Sequence, residues 1–395
     1  MIKLISKNKL FLSALTTVFI ASCTYYTPPQ PADETTTNGG STGNNQGAIA
    51  KEPRIVWKRY YGGEGRQIGK DIIRDKDNIY SILAIGPSKI LFYKIDGEGS
   101  ELLSKTVAKK TVWGLYDMAK VGKNYVIAGS ETKNVGSQKN GFIEYTTNNG
   151  SLIWEKVFDK FKESSVKGVA PVDYKSFIGV GTADKGKVWI FKMDNRKKID
   201  WEMFSTISGS PEDIIKTNDG DYITVGYTFN PDSNVDGFII KVSKGGNLVY
   251  QKTIGSKANE RLHGITQAYG GGYMAVGYKD KLIWLVRLNE NGDKVWEKTI
   301  EFKNNIESIG VDIIKSFDGN YIIIGATNLA KDKYDLESKS FITKVDMQGN
   351  VIWNLFVDDT LERIIRGNYM EYYAVGHNYI KNRDFDISVI KIKEE

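Results

Sequence analysis

The sequence predicts an all-β protein: a seven-bladed β-propeller closed by an N-terminal strand that completes the last blade, after a signal peptide and a flexible tether. Three observations predict it. A leader and a low-complexity stretch occupy the first 52 residues. From residue 53 onward, three short anchors each occur seven times. The repeat region opens on a lone fourth strand and stops on a third.

The leader "MIKLISKNKLFLSALTTVFIASC" has a lysine-bearing start and an apolar run from Leu10 to Ile20 that ends in small residues. That is the pattern of a secretory signal, and the run is too short for a spanning helix. Residues Ile20-Ala21-Ser22-Cys23 resemble the bacterial lipobox. The resemblance implies cleavage before Cys23, giving a signal peptide over 1–22, and a diacylglycerol thioether on the Cys23 sulfur. Two or three acyl chains make membrane residence stable where one does not. Cys23 is the one cysteine of the chain, so an intramolecular disulfide is excluded. Thr24 follows it, not the aspartate that retains many such proteins at the inner membrane of enteric bacteria. The expected address is therefore the bacterial cell envelope, with the outer membrane or cell surface favoured.

Residues 23–52 are rich in Thr, Asn, Gly and Pro and nearly free of large aliphatics. Such a stretch cannot bury enough apolar surface to order itself and reads as a tether. The remainder, 53–395, has the composition of a β-rich globular unit: the whole chain is 41% hydrophobic and 12% aromatic, with 40 glycines. Removing the three leader lysines Lys3, Lys7 and Lys9 lowers the net charge from +6 to +3. That balance leaves no electrostatic footprint for nucleic acid, and no nucleic-acid partner is expected.

The first anchor is an aromatic followed by a polar tail, at Trp57, Trp154, Trp201, Tyr250, Trp296 and Trp353, with Leu103 in a degenerate copy. The second is a turn, an aromatic, a few β-formers and a closing glycine, at Gly86, Gly129, Gly181, Gly226, Gly277, Gly325 and Gly376. That glycine is expected where the second strand gives way to a loop. The third is an apolar run ending in a basic residue, at Lys94, Lys192, Lys241, Arg287, Lys344 and Lys391, with a looser copy at Glu144. A spacing of about 43 to 57 residues suits four short strands and their turns. In the clearest copy these are "DIIKT", "YITVGY", "GFIIKVS" and "NLVYQKT". Asn218-Asp219-Gly220, Phe317-Asp318-Gly319, Asn291-Gly292 and Gln348-Gly349 supply residues that tolerate the positive φ of tight hairpins.

A single four-stranded sheet would expose two faces and two edges. Seven arranged radially bury the faces and shield most edges. Residues 54–60 are expected to pair with 386–393 and complete the last blade. The repeats resemble bacterial propeller repeats of the type "DGGYIVAGYT…IIKLDENGNVVWQK", common in secreted and lipid-anchored proteins, over essentially all of 54–393. A weaker similarity is to quinoprotein-like propellers, among them the propeller lipoprotein of the outer-membrane β-barrel assembly machine. Those carry eight blades against the seven counted here.

First strands of a propeller line its channel, and Asp71, Asp117, Gly168, Asp213, Gly264, Asp312 and Ile364 stand at their starts. Asp71, Asp117, Asp213 and Asp312, with His263 nearby, form the candidate channel-mouth cluster. Two uses are open to the carboxylates: a cation-binding or catalytic ring, or caps on backbone N–H groups. The adjacent pairs Glu212-Asp213 and Asp358-Asp359 are candidates for glycosidase-type acid and base. His263 and His377, the two histidines, are too few for a three-histidine zinc site. No metal or other cofactor is expected, and no catalytic residue is assigned.

The recurring tryptophans are expected to pack between blades. The longest and most variable loops, 130–141, 227–237, 326–340 and 377–385, join second to third strands and are where recognition usually resides. The preferred function is a non-catalytic, lipid-anchored binding or scaffold module for a protein or glycan ligand on the loop face. The alternatives are a glycan-active envelope enzyme and an outer-membrane assembly scaffold.

Overall fold

The computed structural model describes residues 53–132, 138–229, 234–302, 307–330, 336–380 and 384–394. The expected signal peptide, Cys23, the tether and the centres of the four long loops lie outside these residues. Among the described residues every regular element is a strand. They form five antiparallel sheets of four strands and one of seven, in a propeller arrangement.

The seven inner strands are Ile68–Arg74, Val112–Val121, Ser164–Pro171, the second half of Ile199–Lys216, Glu260–Gln267, Glu307–Lys315 and Thr360–Arg366. The seven-stranded sheet arises because Ile199–Lys216 serves two repeats. Its first half pairs with Lys187–Asp194 as far as Ser208, and from Gly209 on it pairs with Tyr222–Phe229. The expected pairing of the chain ends is present: Arg54 lies opposite Lys393 and Tyr61 opposite Ile387.

Apolar clusters fill the spaces between successive repeats. Phe142 and Leu83 share one; Trp189, Phe177 and Tyr145 share another. The cluster of Trp57, Ile72, Tyr80, Tyr373 and Val389 joins the last repeat to the first. Burying both faces of each sheet in this way removes the apolar surface that would make a lone sheet unstable.

The tryptophan anchors pack as expected, and the structure adds their partner. Trp57, Trp201, Tyr250 and Trp296 reach under the glycine-bearing turn of the next repeat, and Trp154 under the corresponding turn at Asn195. A Cβ on Gly246 would meet the Trp201 ring, and one on Gly349 would lie 2.9 Å from that of Trp296. Trp154 Nε1–H donates to Asn195 O at 2.8 Å, and Trp57 Nε1–H to Gly97 O at 3.3 Å. Where the first repeat has only Leu103, Phe92 takes the place beneath Gly150.

Two further anchors interlock. The hairpin carboxylate of the second anchor pairs with the lysine of the third: Asp75 with Lys94 at 3.1 Å and Asp318 with Lys344 at 2.7 Å. Lys241 pairs with Asp219 in the same way.

The closing glycine of the second anchor requires a correction. Gly325 lies within Tyr321–Ala330 and pairs with Gly310 and Phe341, so it does not mark the strand's end. A Cβ there would run into Ile309 O, and the same holds for Gly277 against Arg261 O and Gly376 against Thr360 O. In these repeats the glycine exists because the inner strand presses against it; Gly86 differs, since it ends its strand, Ile79–Gly86, and Ala84 lies opposite Gly69. The cause is a β-bulge in every inner strand, at Lys70, Tyr116, Lys167, Glu212, His263, Val311 and Glu362.

Candidate functional site

A bulge inserts one residue and re-aims its neighbours. Seven bulges at the same level therefore place two rings of side chains around the axis. The bulged residues form one ring; the residues that follow, Asp71, Asp117, Gly168, Asp213, Gly264, Asp312 and Arg363, form the next.

The structure brings Asp71, Asp117, Asp213 and Asp312 together, and all four are buried. What holds them is Arg363, a residue sequence reasoning missed by placing Ile364 at this level. Its Nη2 donates to Asp117 Oδ1 at 2.9 Å and its Nε to Asp71 Oδ1 at 3.3 Å. Its Nη1 lies 3.5 Å from Asp213 Oδ1 and 3.7 Å from Asp312 Oδ1. The guanidinium thus stands where the cation of a metal ring would sit. The signal for it was present: "DIIR", "DIIK", "DIIK" and "RIIR" align Arg363, not Ile364, with the aspartates.

Each carboxylate also clasps two neighbouring strands. Asp71 accepts the N–H of Ile72 and, across the gap, that of Met118, both at 2.8 Å. Asp213 accepts those of Ile214 and Ile265; Asp312 accepts those of Ile313 and Ile364. Asp117 takes the Val169 N–H at 2.7 Å. The backbone-capping use of these aspartates is therefore realised, across strands instead of within a loop.

Four carboxylates around one cation leave an excess of negative charge. Burial pushes Asp71 well above the usual carboxylate range, with Asp117 adding to the shift and Arg363 opposing it. Burial likewise pushes Asp213 up to about 6, against the pull of Arg363 and with the repulsion of Asp312. Burial opposes the charge of Arg363, but the four carboxylates outweigh it and raise its pKa further.

His263 belongs to the other ring, one residue before Gly264. Its Nδ1–H donates to Gly310 O at 2.9 Å, and burial lowers its pKa despite nearby Glu212. Around it, Lys70 pairs with Glu362 at 2.7 Å and Lys167 approaches Glu212 at 3.7 Å. The Lys167 ammonium also lies 4.1 Å from the centre of the Tyr116 ring. His377 sits on the second strand of its repeat, 4.0 Å from Glu362, with its pKa lowered to about 4 by burial.

Neither proposed carboxylate pair converges on a common point. Glu212 lies in the bulge ring and Asp213 in the ring below. Asp359 is fully buried on Lys58 and Ser388, while its neighbour Asp358 is exposed.

Residues from all seven inner strands line one cavity of about 290 Å³. It begins at the Asp–Arg ring and continues along the isoleucines that follow.

A radial set of antiparallel sheets whose inner strands surround an axial cavity defines a β-propeller. No family model matches the chain, and no curated protein resembles it in sequence. Solved structures share the fold. The chain is similar to a protein of unknown function from Dyadobacter fermentans DSM 18053, with 7% identity and TM-score 0.54 over 87% of this chain and 99% of that one. It is also similar to BBS1N, solved in complex with ARL6DN, with 10% identity and TM-score 0.55 over 85% and 96%. At such identities the likeness is one of fold alone.

Proposed function

We propose that this chain is a seven-bladed, lipid-anchored envelope propeller that acts as a binding module for a protein or polysaccharide partner. In this reading the seven-stranded sheet is two blades sharing Ile199–Lys216, and the pairing of 54–61 with 384–393 completes the seventh. The apolar cluster between the last and first repeats supports a closed ring.

One observation carries the choice of binding over catalysis. Each of the four ring aspartates is committed to backbone N–H groups and Arg363, and the glutamates above them, Glu212 and Glu362, face Lys167 and Lys70, which leaves no carboxylate pair poised as acid and base. What remains for recognition is the face bearing the second-to-third-strand loops, at whose centre lies the polar bulge ring. Trp113, 61% exposed near the start of its inner strand, adds an aromatic surface there.

The anchor reading rests on Cys23 and its lipobox. It gives the propeller an orientation: Arg54, opposite Lys393, lies at the far end of the strands from the bulge ring. A lipid on Cys23 would then tether the opposite face and leave the binding face towards the partner.

Affinity capture from crosslinked envelopes tests the function. Wild type should recover a defined partner, the Lys167→Ala/Glu212→Ala variant should lose it, and Asp213→Asn should retain it. Recovery of no partner, or hydrolysis of an envelope glycan abolished by Asp213→Asn, would count against the proposal.

A further inference from the structure

The opposite end of the channel has its own chemistry, carried by a motif the binding face does not use. In four repeats the lining isoleucine is followed by a basic residue: Ile73-Arg74, Ile215-Lys216, Ile314-Lys315 and Ile365-Arg366. These cations reach back to the preceding repeat. Arg74 donates to Gly367 O, Lys216 Nζ donates to Val172 O at 2.9 Å, Lys315 lies over Tyr269 and Arg366 over Phe317.

Among the described residues, none of the four has a carboxylate within ion-pair distance. The hairpin carboxylates beside them pair with other lysines, Asp75 with Lys94 and Lys120, Asp219 with Lys241 and Asp318 with Lys344. Beside the Asp75–Lys120 pair, the rim thus holds four cations with no carboxylate partner, and Lys315 is depressed below its ordinary pKa by burial and by Arg366. An anion would relieve that repulsion. Above the rim the cavity wall is mostly isoleucine, and the Asp–Arg ring closes its far end.

We propose that this end of the channel binds an anion carrying a short, unbranched apolar chain. The head sits among Arg74, Lys216, Lys315 and Arg366, and the chain enters the isoleucine-lined cavity. The excess negative charge of the Asp–Arg ring rejects the reverse orientation. A volume of about 290 Å³ corresponds to roughly ten water volumes, enough for a chain of about eight to ten carbons but not for a folded phospholipid. The proposal is independent of the binding-face reading.

Calorimetric titration of the purified full chain with decanoate, below its micellar concentration, tests it. Saturable one-to-one binding is expected, at least tenfold tighter than that of decanol, decyltrimethylammonium or inorganic phosphate. Decanoate affinity should fall at least tenfold in Lys315→Gln/Arg366→Gln and weaken with added salt. Ile314→Asn, which makes the wall polar, should weaken decanoate without altering the weak response to phosphate. Equal binding of decanol would reduce the site to apolar adsorption and overturn the proposal. Phosphate binding as tightly as decanoate would reduce it to a basic rim and also overturn it, as would the absence of binding.

Discussion

Replacing Arg363 with Met keeps the length of the side chain and removes the charge that four buried aspartates face. Contacts of 2.9 to 3.7 Å correspond to about 4–6 kcal/mol each at an effective dielectric of 20. Desolvation and repulsion among the carboxylates consume most of that sum. Removal of one partner from a buried ionic group typically costs about 3–5 kcal/mol, and that is the loss expected at pH 8. The pH dependence is the sharper readout. Without Arg363 the carboxylates lose the charge that lowers their pKa values, so they take up protons more readily in the folded state. The loss should therefore shrink to about 1 kcal/mol near pH 4.5. Urea unfolding followed by tryptophan fluorescence at pH 4.5, 6 and 8 measures this. A loss that is the same at all three pH values, or below about 1 kcal/mol at pH 8, would refute the role given to the ring.

The wild type has its own pH signature. Asp213 holds its proton more tightly folded than unfolded, so stability falls by about 2–3 kcal/mol as pH rises from about 4 through about 6, and Asp213→Asn should flatten that slope. Asp75 is the opposite case: its burial is outweighed by Lys120, Tyr125, Ser81 and Lys94, which hold its pKa down to about 2. Its contribution is complete above the ordinary carboxylate range and is lost as pH falls towards about 2, so unfolding midpoints should peak between these windows. Gly277→Ala places a methyl against Arg261 O and should cost about 2–3 kcal/mol in urea unfolding, whereas Ala at Gly220, which meets nothing and bears only the strain of its positive φ, should cost about 1 kcal/mol. Trp353→Ala removes a buried indole that donates to Glu394 at 3.0 Å, and should cost about 3–5 kcal/mol by the same assay. Deleting 54–61 bares the edge of Asp384–Lys393 and should produce aggregates on size-exclusion chromatography.

The scaffold was legible in the sequence because its units must each satisfy the same local demands. Asp219-Gly220 and Asp318-Gly319 form the expected hairpins, with φ of 87° and 90° at the two glycines. The terminal strands pair as their lone positions required. The bulges were not legible: one inserted residue such as Lys167 leaves the alternating pattern of "SSVKGVAP" readable either way. Without the bulge, the closing glycines had no visible reason, and Gly325 was assigned to a loop. Ile199–Lys216 is not visible as one strand, because its halves carry different signals, the Trp201 anchor and the Asp213 inner-strand start; Pro211 is tolerated because from Gly209 on the strand pairs on one side only, beside a bulge. The aspartates were found but their partner was not, since a reversal of charge in the seventh repeat looks like divergence until the side chains converge. Arg363 belongs to the pattern because it departs from it.

On the proposed function, the bulge-ring face binds a partner while the carboxylates beneath it hold the fold together. A photoreactive residue in place of Val311, in that ring, tests this in intact envelopes, with Leu102 on an outer strand as the control position. A discrete adduct is expected from position 311, lost when Lys167 and Glu212 are both replaced by Ala, and none from position 102. No adduct at 311, or equal labelling at both positions, would contradict it.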